Sequence, residues 1–181
     1  MNHFRNPLAL ALLLAGAALA PAAQAIPGFR PLPAGSPEQQ SYLYARSEAE
    51  ALVRAALPRL GAADARMARR VIPALQQARF LASSNRQSGQ LCTARRYSLF
   101  VNAHYRNQIF VCDEVRPHAR AGGPDALRRI AQGFVHEGVH LTGELDECVA
   151  ARFELAVMQR TIGVQTHGSQ IRYGAQCDLR G

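Results

Sequence analysis

The sequence predicts an α+β fold, mostly helical with a small antiparallel sheet. Most of the chain is rich in Ala, Leu, Glu and Arg, with apolar residues recurring at helical spacing. Between Tyr97 and Cys112 the pattern changes to short runs of β-branched and aromatic residues. The length, 181 residues, suits one domain of ordinary size preceded by a short targeting segment.

That segment is the N-terminus. Arg5 supplies a basic start, Leu8 to Ala20 is an apolar run, and Ala23-Gln24-Ala25 offers small residues before a cut, the pattern of a secretory signal peptide over residues 1–25. At about 13 residues the run is too short for a permanent span, and no later run approaches the roughly 18 that one needs, so no stable membrane insertion is expected after cleavage. No lipobox cysteine follows, which argues against a lipid anchor. The mature chain is expected to be periplasmic or secreted.

Residues 26–35 carry Pro27, Pro31, Pro33 and two glycines and read as an extended, mobile leader. The domain is expected over 36–181. Ser36-Pro37-Glu38-Gln39 opens a helix: a hydroxyl cap, proline at the first position and Gln three residues after the cap. Pro58 ends it after Leu57. A second helix is expected from Asp64 to about Ala82, with Met67, Val71, Ala74, Leu75 and Ala78 on one face and a kink at Pro73. Ser83 to Gln90 reads as a polar loop. Tyr97–Val101 and Gln108–Cys112 read as strands joined by a turn over Asn102–Asn107. Arg116 to Pro124 reads as a loop. Pro124 and Asp125 begin a helix with Leu127, Ile130, Phe134 and Leu141 on one face, ending near Gly143. A last strong helix runs from Asp146 to about Thr161 and stops at Gly163, with Met158 in its core face. The tail from Val164 shows no clear period.

Composition excludes more than it selects. The net charge is +8 and every cation is arginine, since the chain has no lysine. Without residues 1–25, which hold one arginine and no acid, the charge is +7 on 156 residues. The arginines are scattered, single or paired, and not run together with aromatics, so nucleic acid is not expected as a partner. Four cysteines in an exported chain predict two disulfides. Three connectivities are open; Cys92 with Cys112 and Cys148 with Cys177 is the pairing we expect. The absence of any Cys-x-x-Cys pair argues against a cysteine zinc site. No Gly-rich phosphate loop or nucleophile elbow occurs, which disfavours nucleotide-dependent and serine chemistry.

The chemistry-bearing stretch is Phe134-Val135-His136-Glu137-Gly138-Val139-His140. On a helix, His136 and His140 project from one face, near enough to share one ion, and Glu137 can reach a water on that ion. This is the His-Glu-x-x-His arrangement of zinc hydrolases, in which three protein ligands leave a fourth position for water and the glutamate acts as general base.

Over Asp125 to Gln159 the chain resembles the zincin metallopeptidases. Two patterns compete for the third ligand. His136 to Asp146 spells His-Glu-x-x-His-x-x-Gly-x-x-Asp, similar to the metzincins with aspartate in place of the third histidine. Glu147-Cys148-Val149-Ala150 instead looks like the gluzincins, in which a glutamate on the following helix is the ligand and an alanine three residues later lets that helix pack closely. We favour Glu147, because Asp146 stands where a strong helix must be capped. The resemblance thus implies an exported zinc metallopeptidase, with His136, His140 and Glu147 on zinc and Glu137 as general base. It would attack a peptide carbonyl with a zinc-polarised water, in a polypeptide or the peptide part of the cell wall. Glu144 and Glu154 are candidates to orient a ligand imidazole. His104, Tyr105, His118, His167 and Tyr173 are candidates to stabilise the oxyanion. The strand Gln108–Cys112 is expected at a sheet edge, where it would pair with an extended peptide. The alternative from another class is a non-catalytic envelope protein with a structural or degenerate metal hairpin that binds a partner.

Overall fold

The computed structural model describes residues 26–96, 98–105, 107–163 and 168–179, with backbone only for 168–171. The expected signal peptide at 1–25, Tyr97 and His167 lie outside the described residues.

The chain is mostly helical, with seven α-helices and a four-stranded sheet among the described residues. Helix α1 (Pro37–Ala56) starts as expected: the Ser36 hydroxyl accepts from the Gln39 amide at 3.2 Å, and Gln39 Oε1 accepts from the Gly35 amide at 2.7 Å. Its Tyr42, Ala45, Ala49, Leu52, Val53 and Ala56 are buried along one face. A 3₁₀ turn at Leu57–Arg59 contains Pro58 and leads to α2 (Ala62–Gln77), with Pro73 inside it.

The second helix ends sooner than the sequence implied. Ala78 turns to extended backbone and Arg79–Ser83 is strand β2. Phe80, Leu81, Ala82 and Ser83 are all buried, so the strand lacks the alternation that would reveal it and mimics the tail of an apolar helix. The stretch expected as a mobile leader is also structured. Phe29–Pro31 forms β1, paired antiparallel to β2 with Phe29 opposite Ser83, and Phe29 is buried. The expected polar loop at Ser83–Gln90 holds the start of α3 (Arg86–Arg95), because Asn85 and Ser88 form a reciprocal capping box.

The sheet order is β1-β2-β4-β3, where β3 is Leu99–Phe100 and β4 is Gln108–Val111. It is mixed, not purely antiparallel, because β2 and β4 run parallel with Phe80 beside Ile109. Strand β4 therefore lies inside the sheet, and the expectation that Gln108–Cys112 offers a free edge is corrected; β3 and β1 are the edges. Both faces are covered. Phe80, Ile109 and Val111 join Tyr42 and Phe134 in the main core, where Phe80 stacks on Phe134 at 5.1 Å between centroids. Leu81, Phe100 and Phe110 face the other way with Phe29 and the Cys92–Cys112 disulfide.

Arg116–Ala121, expected as loop, is a short helix, α4, with Pro117 in its first turn and Gly122 at φ +65° as its stop. Its two arginines, one turn apart, converge on Glu38 of α1. Arg116 Nε donates to Glu38 Oε1 at 2.6 Å and Arg120 Nε to Oε2 at 3.3 Å. Burial opposes the charge on Glu38, yet the hydrogen bond and charge of Arg116 prevail and hold its pKa below the ordinary 4.5. A depressed carboxylate pKa stabilises the fold above its unfolded value, and this contribution is lost as pH falls through the folded value. Glu38→Gln is therefore expected to lower stability at neutral pH by about 1–3 kcal/mol. Its deficit against the native chain should shrink below pH 4.5 in denaturant titrations run across pH. A deficit independent of pH would contradict the charged pairing.

At the centre lies α5 (Pro124–Leu141), packed against α1, α2, α4 and α6 (Glu147–Thr161). Two glycines let its neighbours approach. A Cβ on Gly138 would lie 2.8 Å from Val71 Cγ1 of α2, and one on Gly133 would lie 2.8 Å from Leu99 Cδ1 of β3. The tail beyond 167, which lacked a readable period, forms α7 (Gly168–Cys177). The second disulfide, Cys148–Cys177, ties α7 to the first turn of α6, and the pairing of all four cysteines is the one expected.

Candidate metal centre

The centre is built where α5 ends and α6 begins. His136 and His140 are one turn apart on α5, 6% and 7% exposed. The helix closes at Thr142, whose carbonyl accepts from Arg70 Nη2 of α2 at 2.8 Å, and Gly143 at φ +92° reverses the chain. Asp146 then caps α6, its Oδ1 accepting from the amides of Cys148 at 2.7 Å and Val149 at 3.1 Å. The short hairpin brings Glu147, the first residue of α6, back over the two imidazoles. Ala150 and Ala151 are fully buried, so small side chains stand where α6 meets its neighbours.

His136 Nε2, His140 Nε2 and Glu147 Oε2 form a triangle with sides of 3.3, 3.1 and 3.6 Å. Tetrahedral bonds of 2.0–2.1 Å place neighbouring ligand atoms about 3.4 Å apart, so the three atoms are spaced as one face of a zinc-sized tetrahedron. The outer nitrogens face acceptors. His140 Nδ1 lies 2.8 Å from the Glu144 carbonyl, and His136 Nδ1 lies 3.3 Å from Glu154 Oε2, a contact too misaligned for a full hydrogen bond. A proton on each Nδ1 turns both Nε2 lone pairs inward, toward each other and toward a carboxylate, an arrangement that a cation satisfies. The group His136, His140 and Glu147 could hold a metal ion.

Charge points the same way. Glu137 and Glu154 are buried and Glu147 is partly so, all around two imidazoles. Without a metal the imidazoles would have to carry the balancing charge. Burial opposes protonation of His136, but the Glu147 carboxylate bonded to its Nε2 and the Glu154 carboxylate facing its Nδ1 outweigh it and push its pKa up to about 10. His140 is raised against burial in the same manner by Glu147. The hydrogen bonds of both histidines draw Glu147 below the usual carboxylate range. Glu137 is raised, by burial above all, and its Oε2 has no hydrogen-bond partner among the described residues. An orphaned carboxylate oxygen beside three converging ligand atoms marks a site built for something further.

The other candidates separate clearly. Asp146 is engaged in capping and lies outside the triangle. Its replacement by alanine is expected to cost about 1 kcal/mol of stability and to leave metal affinity within a few-fold, read by competition with a chelator dye. Loss of the metal in Asp146→Ala would reverse the assignment of the third ligand. Glu144 orients His140 through its backbone carbonyl, while its carboxylate accepts from the Asp146 amide at 3.0 Å. Glu154 is the carboxylate that faces the His136 imidazole. Of the oxyanion candidates, His104 is exposed and bonded to Asn102, His118 is exposed on α4, and Tyr105 packs on Phe110. Tyr173 of α7 reaches the centre. Its ring stacks on His136 at 5.7 Å and 11°. Burial first, then the Glu147 charge and a hydrogen bond to that carboxylate, raise its pKa. The clue to Tyr173 was the disulfide: Cys177 lies one helical turn beyond it and binds Cys148, the neighbour of Glu147.

Compared with family models, curated proteins and solved structures, the chain matches none.

Proposed function

We propose that the protein is an exported zinc-dependent metallopeptidase of the zincin type, with His136, His140 and Glu147 as ligands and Glu137 as general base. The observation that carries this reading is the triangle of ligand atoms at tetrahedral spacing beside a buried carboxylate oxygen with no partner. Zinc suits two imidazoles and one carboxylate, and when bound it lowers the pKa of a water at its open position and polarises a carbonyl.

The rest is done by the chain. Glu137 takes the proton of the attacking water and returns it to the departing amine; its burial makes it a stronger base than a solvated glutamate. Tyr173, with a hydroxyl near Glu147, donates to the oxygen that gains charge as the carbonyl becomes tetrahedral. Glu154 and the Glu144 carbonyl hold the two imidazoles in their metal-binding tautomers. The histidines are buried while the Glu147 side chain is 42% exposed, so the centre is reached by solvent from the α6 side. The edge strand β3, whose Leu99 touches α5 at Gly133, is the edge that an extended peptide would join.

The two disulfides suit an oxidising compartment, in keeping with the signal peptide expected over residues 1–25. No described helix is long and apolar enough to cross a membrane.

The test is digestion of quenched peptides, casein and peptidoglycan by the zinc-loaded mature chain. Cleavage lost to a chelator and restored by zinc supports a peptidase, and the preferred material separates general proteolysis from cell-wall peptide hydrolysis. A zinc-loaded chain that cuts none of them would favour the non-catalytic alternative.

A further inference from the structure

An open cleft of about 1360 Å³ runs between α3, the start of β3 and the segment after β4, and Arg172 of α7 is among the residues that line it. Four arginines line it, Arg86, Arg96, Arg116 and Arg172, against the acids Asp113 and Glu114. The cations outnumber the acids, and only Asp113 has a cationic partner among the described residues, while Glu114 keeps its charge. Asp113 pairs with Arg116 at 3.3 Å, and Glu114 accepts from the Ser98 hydroxyl at 3.1 Å. Arg116 is also held by Glu38, which leaves Arg86, Arg96 and Arg172 to set a positive field in the cleft.

Arg172 has a particular place. One Nη2–H donates to the Arg96 carbonyl at 2.8 Å, which fixes the guanidinium in the cleft lining and uses one of its five N–H groups. Its Cζ lies 5.4 Å from the Tyr173 ring centre, and that ring lies 5.7 Å from the ring of the ligand His136. Two consecutive residues of α7 thus join the cleft to the metal centre. From the Arg172 Cζ to the His136 ring centre the span is at most about 11 Å, which an extended chain covers in three to four residues.

We infer that the cleft binds the carboxylate of an acidic peptide reaching from the metal centre, with Arg172 as the group that anchors it. The position relative to a scissile bond rests on the peptidase reading; the preference for a carboxylate does not. A guanidinium pinned by one hydrogen bond is preorganised for a bidentate grip on a carboxylate, which a lysine or an amide cannot reproduce. The carboxylate can belong to an Asp or Glu side chain or to the C-terminus of the peptide.

The experiment is binding first and cleavage second. Fluorescent hexapeptides are titrated into the zinc-loaded Glu137→Gln protein. One carries Glu three residues from the C-terminus, one carries Gln there, and each is made with a free and an amidated terminus. At least tenfold tighter binding of a carboxylate form over its amide is expected, weakening with salt, and falling to near parity in Glu137→Gln/Arg172→Ala with partial recovery in Arg172→Lys. The arm that carries the difference identifies a side-chain or a terminal carboxylate. Equal binding of all four peptides, or a preference that survives Arg172→Ala, overturns the inference whether or not the native protein cleaves them. Selective binding without any cleavage by the native protein keeps the cleft assignment and removes the peptidase reading.

Discussion

Glu147→Ala is expected to lose zinc. The carboxylate supplies one corner of the ligand triangle, 3.1 and 3.6 Å from the two imidazole nitrogens, and no other described acid is placed with them. Loss of an outer-shell partner lowers metal affinity roughly 10–100-fold, and loss of a direct ligand exceeds that. Competition with a chelator dye should show the fall, with circular dichroism confirming that the helices remain. The effect on the fold is smaller, because α6 keeps its Asp146 cap and the Cys148–Cys177 bond. Retention of native affinity in Glu147→Ala would mean that the imidazoles find a different third partner.

Glu137→Gln is expected to have the opposite profile: zinc stays and hydrolysis goes. The amide has the shape of the carboxylate but cannot take a proton, and general-base catalysis contributes roughly 10²–10⁴-fold. Glu137 is 7% exposed, with one oxygen lacking a hydrogen-bond partner among the described residues, so its neutral replacement also relieves a buried charge. Stability should therefore hold or rise while kcat falls. The pair of variants separates metal binding from catalysis. A Glu137→Gln protein with undiminished turnover would remove Glu137 from the reaction, and one that also loses zinc would make it a ligand.

What the sequence disclosed follows from how local each signal is. The helix starts at Ser36-Pro37 and Asp146 were readable because caps lie within four residues of the groups they satisfy. The group that could hold a metal ion was readable for the same reason: His136, His140 and Glu147 sit within twelve consecutive residues, on one helix and the first turn of the next. Long-range pairing hid the remainder. Residues 78–82 have an apolar pattern that fits a helix until Phe29–Pro31 and Gln108–Val111 flank them as strands. Proline and glycine at 26–35 looked like a spacer because the burial of Phe29 depends on Phe100 and Phe110, more than seventy residues away. Helix α4 forms on a six-residue segment whose two arginines reach Glu38 only when α1 lies alongside. Tyr173 and Arg172 belong to this second group, since α7 reaches the centre through a disulfide whose pairing spacing alone left open.

The measurement that bears most directly on the metal centre is the metal content of the purified mature chain, followed by X-ray absorption at the zinc edge. About one zinc per chain is expected, bound by two nitrogens and one protein oxygen at 2.0–2.2 Å with an open position filled by water. The zinc should be absent from a His136→Ala/His140→Ala double variant. A folded native chain that takes up no zinc when offered an excess, or holds it equally well without the two histidines, would contradict the account.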